Sequence, residues 1–474
     1  MATHGVRYTE GSILGHVSTL SITSAIGLFA IFAVDLVDVF FIAMLGQPEL
    51  AAAVGYAGTG LFFGAAICIG LSIATSTVVA QAMGAGQEQE AGRLATHGLL
   101  FSLALTLPLT LLALWFAPDL LALMGASGET LQLATHYFRI VGAALPIMGL
   151  GMAGTSLLRA VGEARLSMWA TIIAGLVNAV LDPILIFGFG LDLTGAAIAS
   201  VLSRFTVAGM ALYYIIKRHQ LIQRPAPSKL GHDARQLGSI AVPSLITNLA
   251  GPIGAAYATT QMSRFGTDAV AAAAVIGRIT PVAFAGLYGL SGAVGPVASQ
   301  NVGAGQTQRV SQTLKASALF VTLYVIPVAI VLFLARHFLV EVFVLQAEAA
   351  ELLQFYCSFI VITYWLYGLQ LAANPLFTAL RHPGYATISN LFRDLCLGIP
   401  FIHLGSNWFG APGVLGGQAL GNMIAGIVAF SVALWLSSRL ERGLSISLPF
   451  SFCNGKQRWN FYRSLAPGVQ HRGH

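Results

Sequence analysis

Two apolar stretches hold side chains whose type and spacing could do chemistry. In AVDLVDVFFIAMLG, Asp35 and Asp38 stand three residues apart and share one helix face. In LVNAVLDPILIFGFG, Asn178 and Asp182 stand four apart and stack on one face. Neighbouring carboxylates in a low dielectric cannot both ionise cheaply, so such a group is suited to take up and release a proton. Pro183 cannot donate to the carbonyl of Ala179, which frees an oxygen near Asp182. Carboxylates, an amide oxygen and a free carbonyl suit a hard cation such as Na⁺, with Asp38, Asn178 and Asp182 as its metal ligands; a buried carboxylate alone suits H⁺. The plain structural alternative is an Asn–Asp hydrogen bond that fixes helix packing. Hydroxyls at Tyr137 and Ser200 would join the cation or proton site if their helices close on it, and Arg139 offers a partner for an acid.

The elements that must position these groups follow from composition. Of 474 residues, 56% are hydrophobic and 9% are charged, where a soluble protein carries roughly a quarter. Mean hydropathy is +0.77. A soluble globule cannot cover its surface from this supply, which excludes a cytosolic enzyme and a disordered chain. Cys68, Cys357, Cys396 and Cys453 are too sparse for a disulfide scaffold and form no metal spacing. Twelve apolar runs of bilayer-crossing length lie at 13–45, 50–83, 94–116, 130–158, 166–188, 193–216, 236–263, 269–302, 312–334, 352–380, 385–404 and 412–436. They are expected to be helices, since irregular backbone cannot face lipid. The polar stretch 217–235 reads as a cytoplasmic linker between halves, flanked by a first lobe at 13–216 and a second at 236–437, with tails at 1–12 and 438–474.

Lys and Arg fall 18 in the tails and even-numbered connections against 2 in the odd-numbered ones, which predicts cytoplasmic termini in a cell inner membrane. AQAMGAGQEQ (80–89) matches SQNVGAGQTQ (299–308) at an offset of 219, with six of ten positions identical. MLGQPELAAA (44–53) and LLRAVGEARLS (157–167) have weaker partners at nearly the same offset. Two six-helix copies in one orientation predict two pseudo-symmetric lobes around a central cavity, an architecture of transporters. The class is therefore an all-α polytopic membrane protein with twelve transmembrane helices.

Arg204, Arg278, Arg393 and Asp394 are the other charges inside runs; on an α-helix the adjacent Arg393 and Asp394 side chains diverge and need separate partners. The repeat carries Asn178 and Asp182 onto Leu397 and Phe401, so the carboxylate cluster is confined to the first half. No Walker loop, HExxH or GxSxG occurs, which leaves an ion gradient as the energy source and no enzyme activity or cofactor to expect. No basic stripe alternates with aromatics, so nucleic acid is not an expected partner.

VDVFFIAMLG, the twin QAMGAGQ and QNVGAGQ loops, LLRAVGEARLSM and NAVLDPILIFGFGLDLTGAAIAS, taken in order, resemble the multidrug and toxic compound extrusion family over roughly 13–437. The resemblance implies a multidrug antiporter, driven by Na⁺ or H⁺, that expels organic cations by alternating access, as a monomer in the bilayer. Asp38 matches the first-helix acid, Asn178 and Asp182 the fifth-helix pair, and Tyr137 and Ser200 the fourth- and sixth-helix hydroxyls of the branch that resembles the DNA-damage-inducible and archaeal members. Ser200 stands where threonine is more familiar, and SITSAIG lacks the proline usual near Thr23. The alternative within the superfamily is a flippase for a lipid-linked precursor, to which Arg139, Arg204, Arg278 and Arg393 would offer a cationic cavity.

Overall fold

The computed structural model describes residues 8–45, 48–343, 345 and 347–442, which are helical with no strand among them. The tail residues of the basic C-terminal stretch, Cys453 included, lie outside the described residues. Nine helices are long and apolar enough to cross a membrane, and eleven spans result when each of two bent pairs counts as one. The last, Pro383–Glu441, is divided by Gly410 at φ 65°, ψ −144°, which gives twelve. This matches the expected span number.

Each break has a local cause. The fourth span bends by 47° between Gly128–Ala143 and Leu145–Ala160, with Pro146 opening its second part. Arg204 from the sixth span (Asp192–Arg218) donates its Nη1–H to the Val141 carbonyl there at 2.8 Å. The eighth span bends by the same 47° between Asp268–Ala283 and Ala285–Gly303. Tyr324 plugs that turn: its hydroxyl donates to the Ala283 carbonyl at 3.0 Å and accepts from the Gly286 N–H at 3.1 Å. Backbone groups freed by a bend in lipid must find such partners. At the hairpin around Gly410, Gly405 and Gly413 bring backbone against backbone, where a Cβ on either would run into the other's carbonyl.

The chain forms two compact units. One holds Ile26–Leu245; the other holds Tyr8–Ala25 together with the chain from Ile246 onward. The first span (Ile13–Met44) and the seventh (Leu230–Met262) each pass from one unit to the other. In the first unit, small and aliphatic residues such as Ala74, Val78, Leu157 and Ile240 make a buried core near the GAGQ loop. A second core, with Leu121, Phe138 and Ile186, lies under the candidate site. In the other unit, Val302, Leu314, Phe377 and Leu436 form the corresponding cluster.

Both units grip the segment that leads into a span. The linker docks on the third span (Glu88–Trp115): Thr96 Oγ1 accepts from the Gln223 N–H at 2.9 Å, and the Ala226 N–H donates to His97 Nε2 at 3.1 Å. That donor makes His97 Nε2 the acceptor, so Nδ1 carries the proton and donates to Asp233 Oδ2 at 2.7 Å. Both side chains are 0% exposed, and Arg93 Nε donates to the same carboxylate at 3.0 Å. In the second unit the Tyr8 N–H donates to Gln300 Oε1 at 2.9 Å, while Asn301 Nδ2 and Arg309 Nη2 donate to the Tyr8 carbonyl at 3.2 and 2.9 Å. Each GAGQ stretch thus stands near a docked segment, but through different residues: Thr96 and His97 in the first unit, Gln300, Asn301 and Arg309 in the second. The polar linker is held in place by buried bonds, which its composition did not predict.

Candidate functional site

The site lies in the first unit, where the first, fourth, fifth and sixth spans each contribute a side chain. The fifth span begins as an α-helix, Ala164–Pro183, and continues as a π-turn, Ile184–Gly188. Pro183 sits at that junction, where it removes an intrahelical donor and a wider turn follows; π-turns inside helices recur at functional positions. Just before it, Asn178 and Asp182 face inward, 4% and 0% exposed.

Asn178 is the centre of the arrangement. Its Nδ2 donates to Asp38 Oδ1 at 3.0 Å and to Asp182 Oδ2 at 3.0 Å, so one amide nitrogen bridges carboxylates on two helices. Both its N–H groups are committed to acids, and it is this nitrogen, not the amide oxygen, that faces them. Asp38 also lies within interaction range of Asp182. Asp182 Oδ1 is buried and has no hydrogen-bond partner among the described residues. Asp38 is partly exposed, so the pair joins an enclosed acid to one with access.

Tyr137 is 7% exposed and lies within interaction range of Ser200, Asp38 and Asp182. The structure thus brings together Asp38, Asn178, Asp182, Tyr137 and Ser200. Asp35 belongs to the same helix, but its side chain lies outside the described residues.

The remaining intramembrane charges depart from expectation. Arg139 is exposed and has no ion pair among the described residues; Arg278 is exposed as well. Arg204 holds the bend of the fourth span. Arg393 and Asp394 do not diverge: Arg393 Nε and Nη2 each donate to an Asp394 oxygen at 2.8 Å, a two-pronged pair between neighbours. They lie in a π-helical segment, Phe392–Gly398, whose wider turn departs from the α-helical geometry that would have spread them. Asp394 lines a cavity in the second unit as a single carboxylate. The His97–Asp233 pair was missed as well; its only sequence signals are a histidine inside an apolar helix and an acid in the linker.

Among the described residues, no three His, Cys, Asp or Glu side chains come together as a metal-binding group. Two carboxylates bridged by an amide nitrogen can share a proton, and Na⁺ binding would need the Asn178 amide turned to offer oxygen.

Residues 24–184 and 243–404 match the MatE family. A FAD transporter of Shewanella oneidensis is 30% identical over 424 residues, 87% of this chain and 93% of the relative. The multidrug export protein MepA of Staphylococcus aureus is 23% identical over 428 residues, 89% of this chain and 93% of the relative. Among solved structures, the outward-facing conformation of a multidrug resistance MATE family transporter of the MOP superfamily superposes with a TM-score of 0.88 at 25% identity, covering 93% of this chain and 100% of that one. A MATE protein in the straight conformation gives a TM-score of 0.87 at 24% identity, with 93% and 100% covered.

Proposed function

The chain belongs to the MatE family of membrane transporters, and from that premise we propose that it is a secondary antiporter exporting organic cations in exchange for H⁺ bound in the first lobe. The observation that carries this reading is the Asn178 bridge, with its two 3.0 Å bonds to acids and the buried, unpartnered Asp182 Oδ1. With both acids ionised, two negative charges share one neutral amide in a poorly solvated place, and a proton between them relieves that repulsion. An ion moves a conformational equilibrium only by its differential affinity for the two states. A helix shift that separates Asp38 from Asp182 changes that affinity. Protonation on the outward side favours the state that releases the drug, and proton loss inside favours the state that takes it up. The protein works in the inner membrane with both termini cytoplasmic, as a monomer.

The test is efflux of a fluorescent monovalent cation from proteoliposomes under an imposed ΔpH or ΔNa⁺. Asp38→Asn and Asp182→Asn should each abolish uphill export driven by ΔpH. Normal pumping by both under both gradients would remove the site.

A second reading concerns cargo. The Shewanella FAD transporter is 30% identical, above the 23% of MepA, which brings planar, acidic cofactor-like molecules into the substrate range. Of the four arginines on which the lipid-linked precursor reading drew, Arg204 is committed to a backbone carbonyl and Arg393 to Asp394, and Arg139 and Arg278 are exposed.

A further inference from the structure

The second unit contains a cavity of about 200 Å³, smaller than the roughly 300–1,000 Å³ of a site for a whole drug-sized ligand. Tyr288, Tyr364 and Tyr367 stand in its lining, beside Gln418 and Asn422. Tyr364 is clamped flat on Phe284, with ring centroids 4.1 Å apart and planes 3° apart, and meets Tyr367 edge-on at 5.8 Å. The Arg393 guanidinium lies over the Tyr367 ring at 5.0 Å. Gly254 lines the same space, and a Cβ there would come within 3.4 Å of the Asp394 Cβ.

The Arg393–Asp394 pair leaves donors over, and the lining amides Gln418 and Asn422 add donors and acceptors alike. Both Asp394 oxygens accept from Arg393, whereas only two of that guanidinium's five N–H groups are used there; Nη1 reaches Gln370 Oε1 only at 3.4 Å. The hydroxyls of Tyr288 and Tyr367 also line the cavity and have no hydrogen-bond partner among the described residues. The charges cancel as a built-in pair, so an occupant need not bring a counter-ion. Flat tyrosine rings select a flat ring, and unused donors select acceptor oxygens.

We propose that this second-lobe cavity binds the planar head of a fused heteroaromatic ligand, its carbonyl or carboxylate edge turned towards Arg393 and its ring face on Tyr367. It is separate from the Asp38–Asn178–Asp182 site, and it rests on the second cargo reading only for the choice of probe.

The test uses the purified full-length protein and riboflavin, whose fused ring carries two carbonyls and fluoresces. Saturable quenching is expected. Tyr367→Leu, and the charge-neutral pair Arg393→Gln with Asp394→Asn, should each raise the Kd roughly 10-fold or more, the scale of a lost ring contact. A thermal unfolding midpoint within a few degrees of the native protein in each variant should exclude a folding defect. Asp182→Asn should bind as the native protein does. Absence of saturable quenching in the native protein, native-like binding by both cavity variants, or an equal loss in Asp182→Asn overturns the proposal. FAD export that is untouched by the cavity variants refutes the cavity and leaves the cargo reading standing. Riboflavin binding lost in those variants, without FAD export, supports the cavity and removes the cargo reading.

Discussion

Replacing Asp182 by Asn should cut the link between the proton gradient and the drug gradient, and the bridge geometry says how much gradient is at stake. Two 3.0 Å bonds from one nitrogen leave the accepting oxygens of Asp38 and Asp182 no more than about 6 Å apart. At that distance two charges repel by about 3 kcal/mol at an effective dielectric of 20, which separates the two protonation steps by roughly two pH units. Only one proton then exchanges over an ordinary pH range. One proton for one monovalent cation is electroneutral, and each pH unit is worth about 1.4 kcal/mol, a tenfold concentration ratio. Proteoliposomes loaded with a fluorescent monocation should therefore reach a steady ratio that rises tenfold per unit of ΔpH and does not respond to a membrane potential set with K⁺ and valinomycin. In Asp182→Asn the slope should be zero while downhill exchange of labelled for unlabelled cation persists. A slope of two decades per unit, a response to potential, or an unchanged slope in the variant would refute the shared-proton reasoning.

Three further outcomes follow from the packing. Arg204→Met removes the donor to the Val141 carbonyl and should lower the melting temperature by an amount equivalent to about 1–3 kcal/mol, yet leave the tenfold slope intact, as measured by thermal shift and the same flux assay. Gly413→Ala places a methyl into the Gly405 carbonyl and should abolish the monodisperse peak in size-exclusion chromatography, whereas Gly416→Ala, with open space at that position, should keep it. His97→Leu takes one partner from the fully buried Asp233, which keeps Arg93, and its acceptor from the Ala226 N–H, a loss of about 1.5–3 kcal/mol by the scale of a hydrogen bond to a charged group. Trypsin should then cut the linker at Lys229 at least 10-fold faster than in the native protein.

The sequence showed the membrane spans because lipid imposes length and apolarity on every one of them. It showed Asn178 and Asp182 because a four-residue spacing fixes a shared face. It could not place Asp38 against Asn178, since 140 residues separate them and only packing closes that distance; there the family resemblance carried the assignment. The Arg393–Asp394 pair was misread because a uniform α-helix was assumed, and the π-turn that changes the local geometry leaves no clear mark in the residue types. The linker was read by its polarity, which reports solvent preference and is silent about buried bonds such as His97 to Asp233. The division at Gly410 was visible as a Gly-Ala-Pro-Gly break between two apolar runs.

The two units exchange their leading segments: residues 8–25 go with the later half, and the start of the seventh span goes with the earlier half. Neither half of the repeat is self-contained, because each GAGQ-bearing helix pair stands beside the incoming chain of the other copy. A lone half-length polypeptide could complete itself only with a second molecule, as a swapped homodimer does. Joining the two copies through 217–235 turns that partnership into an intramolecular one and fixes its stoichiometry at one to one.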